Sequence, residues 1–367
     1  MENWRYDPSV SPRDLRLDFL RGFCLLKMVF DHMASTPIHE YKYWVGYVTA
    51  AEGFFLISGA VVGIVYGRRA LEDGLGTASR MVVTRAFNLY LANLALVFLF
   101  ISLELAGLLS SQYFSHLWSD GFDWPRIFNF EQPYYLRILP RYVAFLALTP
   151  LALWCLRTQR TTWLLMVSGS FYALNLVMSG RATVPFLERS SGGVFPIVSW
   201  QVLFFYGMAL GYHRDRVGRW FHNLNWRKLA WALAVLSLGF VLLRGVVRPE
   251  LSFQNRGVLD LYFSRSQLSP LRLLNLTVVF GLAFLITDRL WKPLNRVLGP
   301  LLIPFGQHSL FLFLMHIPVV VLCKQVFSAP LATLPLGPWI LIAIEMSLIA
   351  FLWWMIRKRI LFNFVPR

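Results

Sequence analysis

The sequence predicts an all-α protein, a polytopic membrane helix bundle of about 10 transmembrane helices that forms one domain over residues 1–367. Composition is the first reason: 57% of the 367 residues are hydrophobic and only 15% are charged, whereas about a quarter of a soluble domain is charged. The apolar residues also gather into stretches long enough to span a bilayer. We therefore exclude a soluble enzyme, a disordered chain and a nucleic-acid module, and expect the lipid bilayer as a partner.

Ten stretches approach the roughly 20 apolar residues that a transmembrane helix needs. The fourth and fifth are short for a span. The ten predicted spans are Leu17–Met33, Val45–Tyr66, Phe87–Leu108, Tyr142–Leu156, Trp163–Met178, Pro196–Tyr212, Lys228–Val247, Leu271–Thr287, Leu298–Cys323 and Pro338–Ile356.

The net charge of +16 is explained largely by topology. With the N-terminus in the cytoplasm, the cytoplasmic segments hold the majority of the 35 lysines and arginines, as the positive-inside rule requires. Both termini are therefore expected in the cytoplasm. The polar N-terminal segment lacks the apolar core and cleavage site of a signal peptide.

Ionisable residues are concentrated in the first predicted span, where their default interpretation is a functional site. Asp18 and Arg21 are three residues apart, and Lys27 and Asp31 are four apart, so each pair can meet on one helix face. Arg21 and His32 are eleven residues apart, which places them on one face with a rise of about 16 Å between them. A permanent cation and a titratable base on one face suit a transfer reaction across the membrane, although His32 could also simply bond to a neighbouring helix.

The second span carries Glu52 in an apolar run, followed by Ser58, Gly59 and Gly63. Small residues allow close helix packing, which by itself explains the glycines. Glu52 needs a partner such as Arg21 or Lys27, or a protonated state, and could orient the histidine.

Two further histidines, His308 and His316, fall at the start of the ninth predicted span and within it. A second histidine that faces the same cavity as His32 would support a functional role. Since no HxxxH or CxxC spacing is present, we predict no metal site.

Four arginines follow the second span: Arg68, Arg69, Arg80 and Arg85. Positive-inside sorting accounts for such a cluster. Recognition of phosphate is the alternative, because guanidinium groups bind phosphate oxygens in pairs and an acyl-CoA brings several phosphates to the cytoplasmic face.

A loop rich in aromatic residues, roughly 109–141, is predicted on the outer side. Such residues are typical of interfacial helices in the headgroup layer. They could also stack on sugars, with the acidic side chains of the loop accepting hydrogen bonds from hydroxyl groups.

Several short motifs together resemble the acyltransferase-3 superfamily of integral membrane O-acyltransferases, and within it the OpgC branch, the succinyltransferases of osmoregulated periplasmic glucans. The motifs are Leu15 to Phe19, Asp18-x-x-Arg21-Gly22 with His32 ten residues further on, Ala51 to Gly63 with Phe54 to Gly59, Leu139 to Tyr142, Ser199-Trp200-Gln201 before Gly207-Met208, and Gly306 to Leu310 leading to His316. They cover nearly the whole chain in order.

The resemblance implies a bacterial inner-membrane enzyme that transfers a short acyl group, succinyl by analogy with the branch, from cytoplasmic acyl-CoA to a hydroxyl of a periplasmic glucan. It makes His32 the catalytic base and gives Arg21 a part in holding the donor. Superfamily members often carry two arginines two residues apart near the third span, whereas Arg80 and Arg85 are five positions apart here.

The expected site residues fall into three groups, with succinyl-CoA or acetyl-CoA as co-substrate and no permanently bound cofactor. They are, for catalysis, His32, Arg21 and Glu52; for the acyl donor, Asp18, Lys27, Asp31, Ser58, Arg68, Arg69, Arg80 and Arg85; and for the acceptor or in support, His308, His316, Trp200 and Gln201. Two rivals stay open: a proton-coupled transporter of an anion or glycan, whose mark would be inverted repeats and broken helices, and a receptor or assembly subunit without chemistry.

Overall fold

The computed structural model describes residues 13–33, 45–110, 124–128, 136–178, 195–222, 224–246, 262–265, 267–328 and 336–362. Their regular structure is helical throughout. The helices are α1 (Leu15–Met33), α2 (Ala50–Glu72), α3 (Leu75–Leu105), α4 (Trp124–Phe128), α5 (Ile138–Arg157), α6 (Thr161–Val177), α7 (Ile197–Tyr212), α8 (Arg214–His222), α9 (Trp226–Val246), α10 (Pro270–Arg289), α11 (Trp291–Val297), α12 (Gly299–Gln307), α13 (Ser309–Cys323) and α14 (Gly337–Arg357). A π-helical turn, Lys324–Ser328, continues α13.

The all-helical prediction is confirmed. In the described part of the chain, seven helices are long and apolar enough to cross a membrane, and the apolar helices α6 and α7 are shorter. The chain is therefore a multi-pass membrane protein. Its sidedness stays a prediction.

Helices α2 and α7 form a close backbone contact in the core. A Cβ atom at Gly59 or Gly63 would overlap the backbone carbonyl of Phe204 or Met208, and one at Gly207 or Gly211 would overlap a carbonyl of α2. The glycines on both helices allow the backbones to approach this closely. The contact orders the centre of the bundle, where Phe55, Phe145 and Trp200 pack as a buried aromatic group.

A second close contact joins α1 to α12. Gly22 lies against the carbonyl of Leu302, and Gly306 lies against the carbonyl of Asp18. The order of these contacts shows that α12 runs antiparallel to α1.

We predicted the ninth span, Leu298–Cys323, as one continuous helix, and this prediction was wrong. The segment is two helices, α12 and α13, separated at His308, which has φ −109° and ψ 38°. Since α13 then runs back along α1, both halves of the predicted span contact the first helix. The third predicted span also starts earlier, because α3 begins at Leu75 and includes Arg80 and Arg85.

Adding a single methyl group to the α2–α7 contact should destabilise the fold. We expect Gly59→Ala to lower the free energy of unfolding by about 1–3 kcal/mol, the usual effect of overpacking. Gly239→Ala in α9 is the matched control, because a Cβ there meets no atom within 4 Å, and alanine favours a helix by up to about 1 kcal/mol over glycine. Thermal unfolding midpoints in detergent compare the two, and equal midpoints would contradict the proposed backbone contact.

Candidate active site

Two histidines from different helices meet inside the bundle. The Nδ1 atom of His32, at the end of α1, lies 3.0 Å from the Nε2 atom of His316 in α13. Their rings are 6° from parallel, with centroids 5.1 Å apart. His316 is 1% exposed, and His32 is partly buried. Sequence analysis had named both histidines as candidate site residues. The break at His308 turns α13 back toward α1, which brings the two rings together.

The partner of His316 determines which nitrogen of each ring carries hydrogen. Its Nδ1 atom lies 3.0 Å from the carbonyl oxygen of Leu312, and a carbonyl can only accept, so this nitrogen is protonated. In the neutral ring, Nε2 then accepts the hydrogen bond that Nδ1 of His32 donates. This tautomer places the lone pair of His32 on Nε2, the arrangement that a general base requires.

Two lysines make contacts in the second half of α1. Lys27 donates to the Oδ1 atom of Asp31 at 2.6 Å, across one turn of α1, as the sequence predicted. Lys324 donates to the main-chain carbonyl oxygen of His32 at 3.3 Å. His32 therefore follows an ion pair on its own helix, and its main-chain carbonyl is contacted by a lysine that follows α13.

Arg21 lies at the other end of α1 and is 6% exposed. Its Nε and Nη2 atoms donate to the carbonyl oxygen of Gly306, at 3.0 and 2.5 Å. Nη2 also lies 3.3 Å from Asp18, the predicted partner, which accepts from Arg13 as well. One carboxylate is thus shared by two guanidinium groups.

A group of two arginines and two tyrosines surrounds this end of α1. Arg85 and Tyr142 both lie within electrostatic range of Arg21, and Tyr66 lies within electrostatic range of Arg85. Both tyrosines are buried. Arg85 was predicted to bind the donor, while the tyrosines were not singled out as site residues because aromatic residues are abundant in every span.

From the sequence we expected Glu52 to have a partner such as Arg21 or Lys27. The structure pairs it with Arg272 instead. It is fully buried, and its Oε1 atom accepts from the Nε atom of Arg272 in α10 at 2.6 Å. Its Oε2 atom accepts from the main-chain nitrogen and the hydroxyl of Thr49, which closes a capping box at the start of α2. The difference follows from the direction of the side chain, because Glu52 reaches Arg272 of α10 while the next residue, Gly53, lies against Cys24 of α1.

Several predicted donor residues lie elsewhere. Arg68 and Arg69 are exposed and pair with Glu72 and Asp73 within the last turns of α2, an arrangement that contributes little to stability. Arg80 is exposed on α3. Ser58 is buried in α2.

The predicted acceptor residues other than His316 lie away from the histidine pair and contact neighbouring side chains. Trp200 is fully buried against Phe55 and Phe195. Gln201 bonds to Ser168 of α6 through its amide and carbonyl groups, at 2.8 and 2.7 Å. His308 lies at the α12–α13 break, with its ring 5.0 Å from that of Phe362. The aromatic loop falls largely outside the described residues.

Among the residues that the structure describes, no three His, Cys, Asp or Glu side chains are grouped so that they could hold a metal ion. The candidate site is therefore built from the histidine pair and from the cations at the two ends of α1.

The Glu52–Arg272 ion pair should behave as a structural contact between α2 and α10. Glu52→Gln keeps a capping side chain but leaves the Arg272 guanidinium buried without its counter-charge, so we expect a loss of about 3–5 kcal/mol. Replacing both residues, with Arg272→Met as the second change, should recover most of that loss. A double-mutant cycle of unfolding free energies measures the coupling, and purely additive effects would contradict the pairing.

Comparison of the sequence with known proteins identifies the family of the chain. No curated protein and no solved structure matches the chain. The family model described as OpgC protein matches residues 13–360, which include α1, the histidine pair and Lys324. The chain belongs to the OpgC protein family.

Proposed function

We propose that this protein is an integral membrane O-acyltransferase that transfers a succinyl group from acyl-CoA to a hydroxyl of a glucan outside the cytoplasm. Membership of the OpgC family implies an acyltransferase of the glucan succinylation type. The observation that carries the proposal is the His32–His316 pair, because its hydrogen bonds place a basic nitrogen inside the bundle. A bacterial inner-membrane location follows from the same proposal.

In this reaction His32 is the general base. Its Nε2 atom takes the proton from the acceptor hydroxyl as the hydroxyl oxygen attacks the thioester carbonyl. The C–S bond then breaks, and the CoA thiolate leaves with the proton that the imidazolium returns. The products are the succinyl ester and free CoA.

The environment of His32 supports this cycle. His316 accepts from Nδ1 and so holds the ring in one tautomer. The ring lies in the last turn of α1, where the negative end of the helix dipole stabilises the positive charge that the ring gains. His316 is therefore a positioning residue and His32 the catalytic one.

Arg21 acts on a distant part of the donor. It is eleven positions from His32 along the helix, a rise of about 16 Å, so the two side chains do not act on the same carbonyl. Acyl-CoA is long and anionic, and the group formed by Arg21, Arg85, Tyr66 and Tyr142 offers cations and hydroxyls to its phosphate-bearing portion. This division of roles requires the donor to extend along α1.

A proton-coupled anion transporter is the second candidate, because the break between α12 and α13 is of the kind found in transporters. A transporter of this kind requires buried charges but does not release a thiol. The formation of free CoA therefore separates the two functions.

The test measures CoA release by the purified protein in lipid nanodiscs. Succinyl-CoA or acetyl-CoA is supplied with or without a β-glucan, and mass spectrometry determines the mass of the glucan product. Wild type should release CoA only with glucan and add the acyl mass to it. We expect His32→Ala to lower the rate by at least about 100-fold, the usual contribution of a general base.

His316→Phe should lower kcat and change the pH profile, and His316→Gln, which retains an acceptor, should recover part of the rate.

His213→Ala is the matched control. His213 directly follows α7 and bonds to Thr161 of α6, not to His32 or His316. It should turn over like wild type. If the folded His32→Ala variant keeps the wild-type rate, His32 is not the base. If wild type releases no CoA with either donor but moves labelled succinate across the bilayer, the transporter is the correct function.

A further inference from the structure

A large apolar cavity lies between α5, α6 and α7. It has a volume of about 1090 Å³, at the upper end of the range for ligand pockets. Aromatic and aliphatic side chains form most of its wall, among them Trp163, Phe171 and Phe205. None of the described residues that line it belongs to α1 or α13, so the cavity is separate from the histidine pair.

The contact between α6 and α7 is polar. Ser168 and Asn175 are the buried residues of α6. The hydroxyl of Ser168 donates to the amide oxygen of Gln201 at 2.7 Å, and the amide group of Asn175 donates to the hydroxyl of Ser199. Hydrogen bonds therefore hold α6 against α7, and the apolar side chains of α6 are left to other neighbours.

These apolar side chains open the cavity to the outside of the bundle. Val167, Phe171 and Leu174 line it and are about half exposed. The lining extends from Arg160 to Met178, the two caps of α6. The 17 residues of this helix rise about 25 Å, most of the roughly 30 Å of hydrocarbon in a bilayer. Apolar cavities exclude water and take up apolar molecules, and in a membrane the available molecule is a lipid.

One charge in the wall can recognise a lipid headgroup. Ser168 and Gln201 bond to each other, whereas Arg160 is the one charged residue among the described residues of the lining. Its guanidinium group lies over the Trp154 ring, 5.0 Å from the centroid, and its side chain is exposed. Guanidinium groups bind phosphate oxygens in pairs.

The surroundings of this end of the cavity are basic. Thr161 bonds to His213 at 2.8 Å, which brings the start of α8 to the start of α6. The segments 157–161 and 213–219 together hold five arginines and one acidic residue, Asp215, which is itself paired with an arginine. Basic clusters of this kind at a membrane surface attract anionic lipids.

We propose that the cavity binds a phospholipid with an anionic headgroup, whose phosphate lies at Arg160 and whose acyl chain lies along α6 between α5 and α7. A zwitterionic phospholipid has the same chains but no net charge, so comparison of the two lipids separates the headgroup contact from the chain contact. The inference goes beyond the proposed reaction, because it uses neither the histidine pair nor the group around Arg21.

The experiment titrates the delipidated full-length protein in detergent with dioleoyl phosphatidylglycerol or dioleoyl phosphatidylcholine. Native mass spectrometry measures the affinity for the first bound lipid. Wild type should bind phosphatidylglycerol at least about 5-fold more tightly, and Arg160→Gln should weaken phosphatidylglycerol by about 5-fold, the contribution of one basic residue near a membrane surface. Phosphatidylcholine should be unaffected. Arg357→Gln is the matched control, because Arg357 lies over Trp353 at 5.1 Å at the end of α14, outside the cavity.

A second pair of variants tests the position of the chain. Val167→Trp should fill part of the cavity and weaken both lipids alike. Val235→Trp in α9 should bind like wild type, because Val235 does not line the cavity. Both valines are more than half exposed, so neither change disturbs the core.

Four results would overturn the inference. They are a wild type that binds no lipid or binds both lipids equally, equal losses in Arg160→Gln and Arg357→Gln, unchanged binding in Val167→Trp, and displacement of the lipid by an equal concentration of glycerol 3-phosphate. The last result would mean that the headgroup binds without its chain.

Discussion

The backbone contact between α1 and α12 determines where both parts of the candidate site lie. Gly22 and Gly306 each lie against a carbonyl of the other helix, so the helices approach as closely as backbones can. At this distance the guanidinium of Arg21 reaches the carbonyl of Gly306. The chain then reverses at His308, and α13 runs back along α1 until His316 meets His32. A bulkier residue at either glycine would separate both ends of the site at once.

Burial of charge is the second constraint on this structure. In a membrane interior an ionised side chain is costly unless it is paired, and the acidic groups of the first two helices follow this rule. Asp18, Asp31 and Glu52 pair with Arg21, Lys27 and Arg272, respectively. Around Arg21 the balance is different, because Asp18 serves two arginines while a further arginine, Arg85, lies within electrostatic range of Arg21. Excess positive charge in a bundle interior attracts an anion, and the phosphate-bearing end of an acyl-CoA is one.

The sequence predicted the helices and the pairs that are local to one helix, but not the contacts between helices. The spacing of Asp18 and Arg21, and of Lys27 and Asp31, was sufficient because helical neighbours are three or four residues apart. The partner of Glu52 is 220 positions away, and no periodicity points to it.

The break at His308 was also missed, because α12 and α13 are both apolar and hydropathy does not register a reversal. Pro304 and Gly306, close to the break, were the available signal. The same limit applies to Trp200 and Gln201, whose packing roles depend on neighbours in other helices.

Under the proposed function, the two ends of α1 would bind different parts of one substrate. A small acyl group alone would need one binding region, but the chain presents cations at two levels: Arg21 with Arg85 at one end, and Lys324 at the other. The base lies at the second level, so bond cleavage is expected there and not beside Arg21. A donor that satisfies both levels must be extended, anionic at one end and reactive near the other. Acyl-CoA has this form, since its phosphates and its thioester are joined by a long flexible arm. If that arm lies along α1, only the thioester end needs to reach His32, and the phosphates can stay at the cytoplasmic face. Transfer of an acyl group across the bilayer then requires no passage of the whole donor.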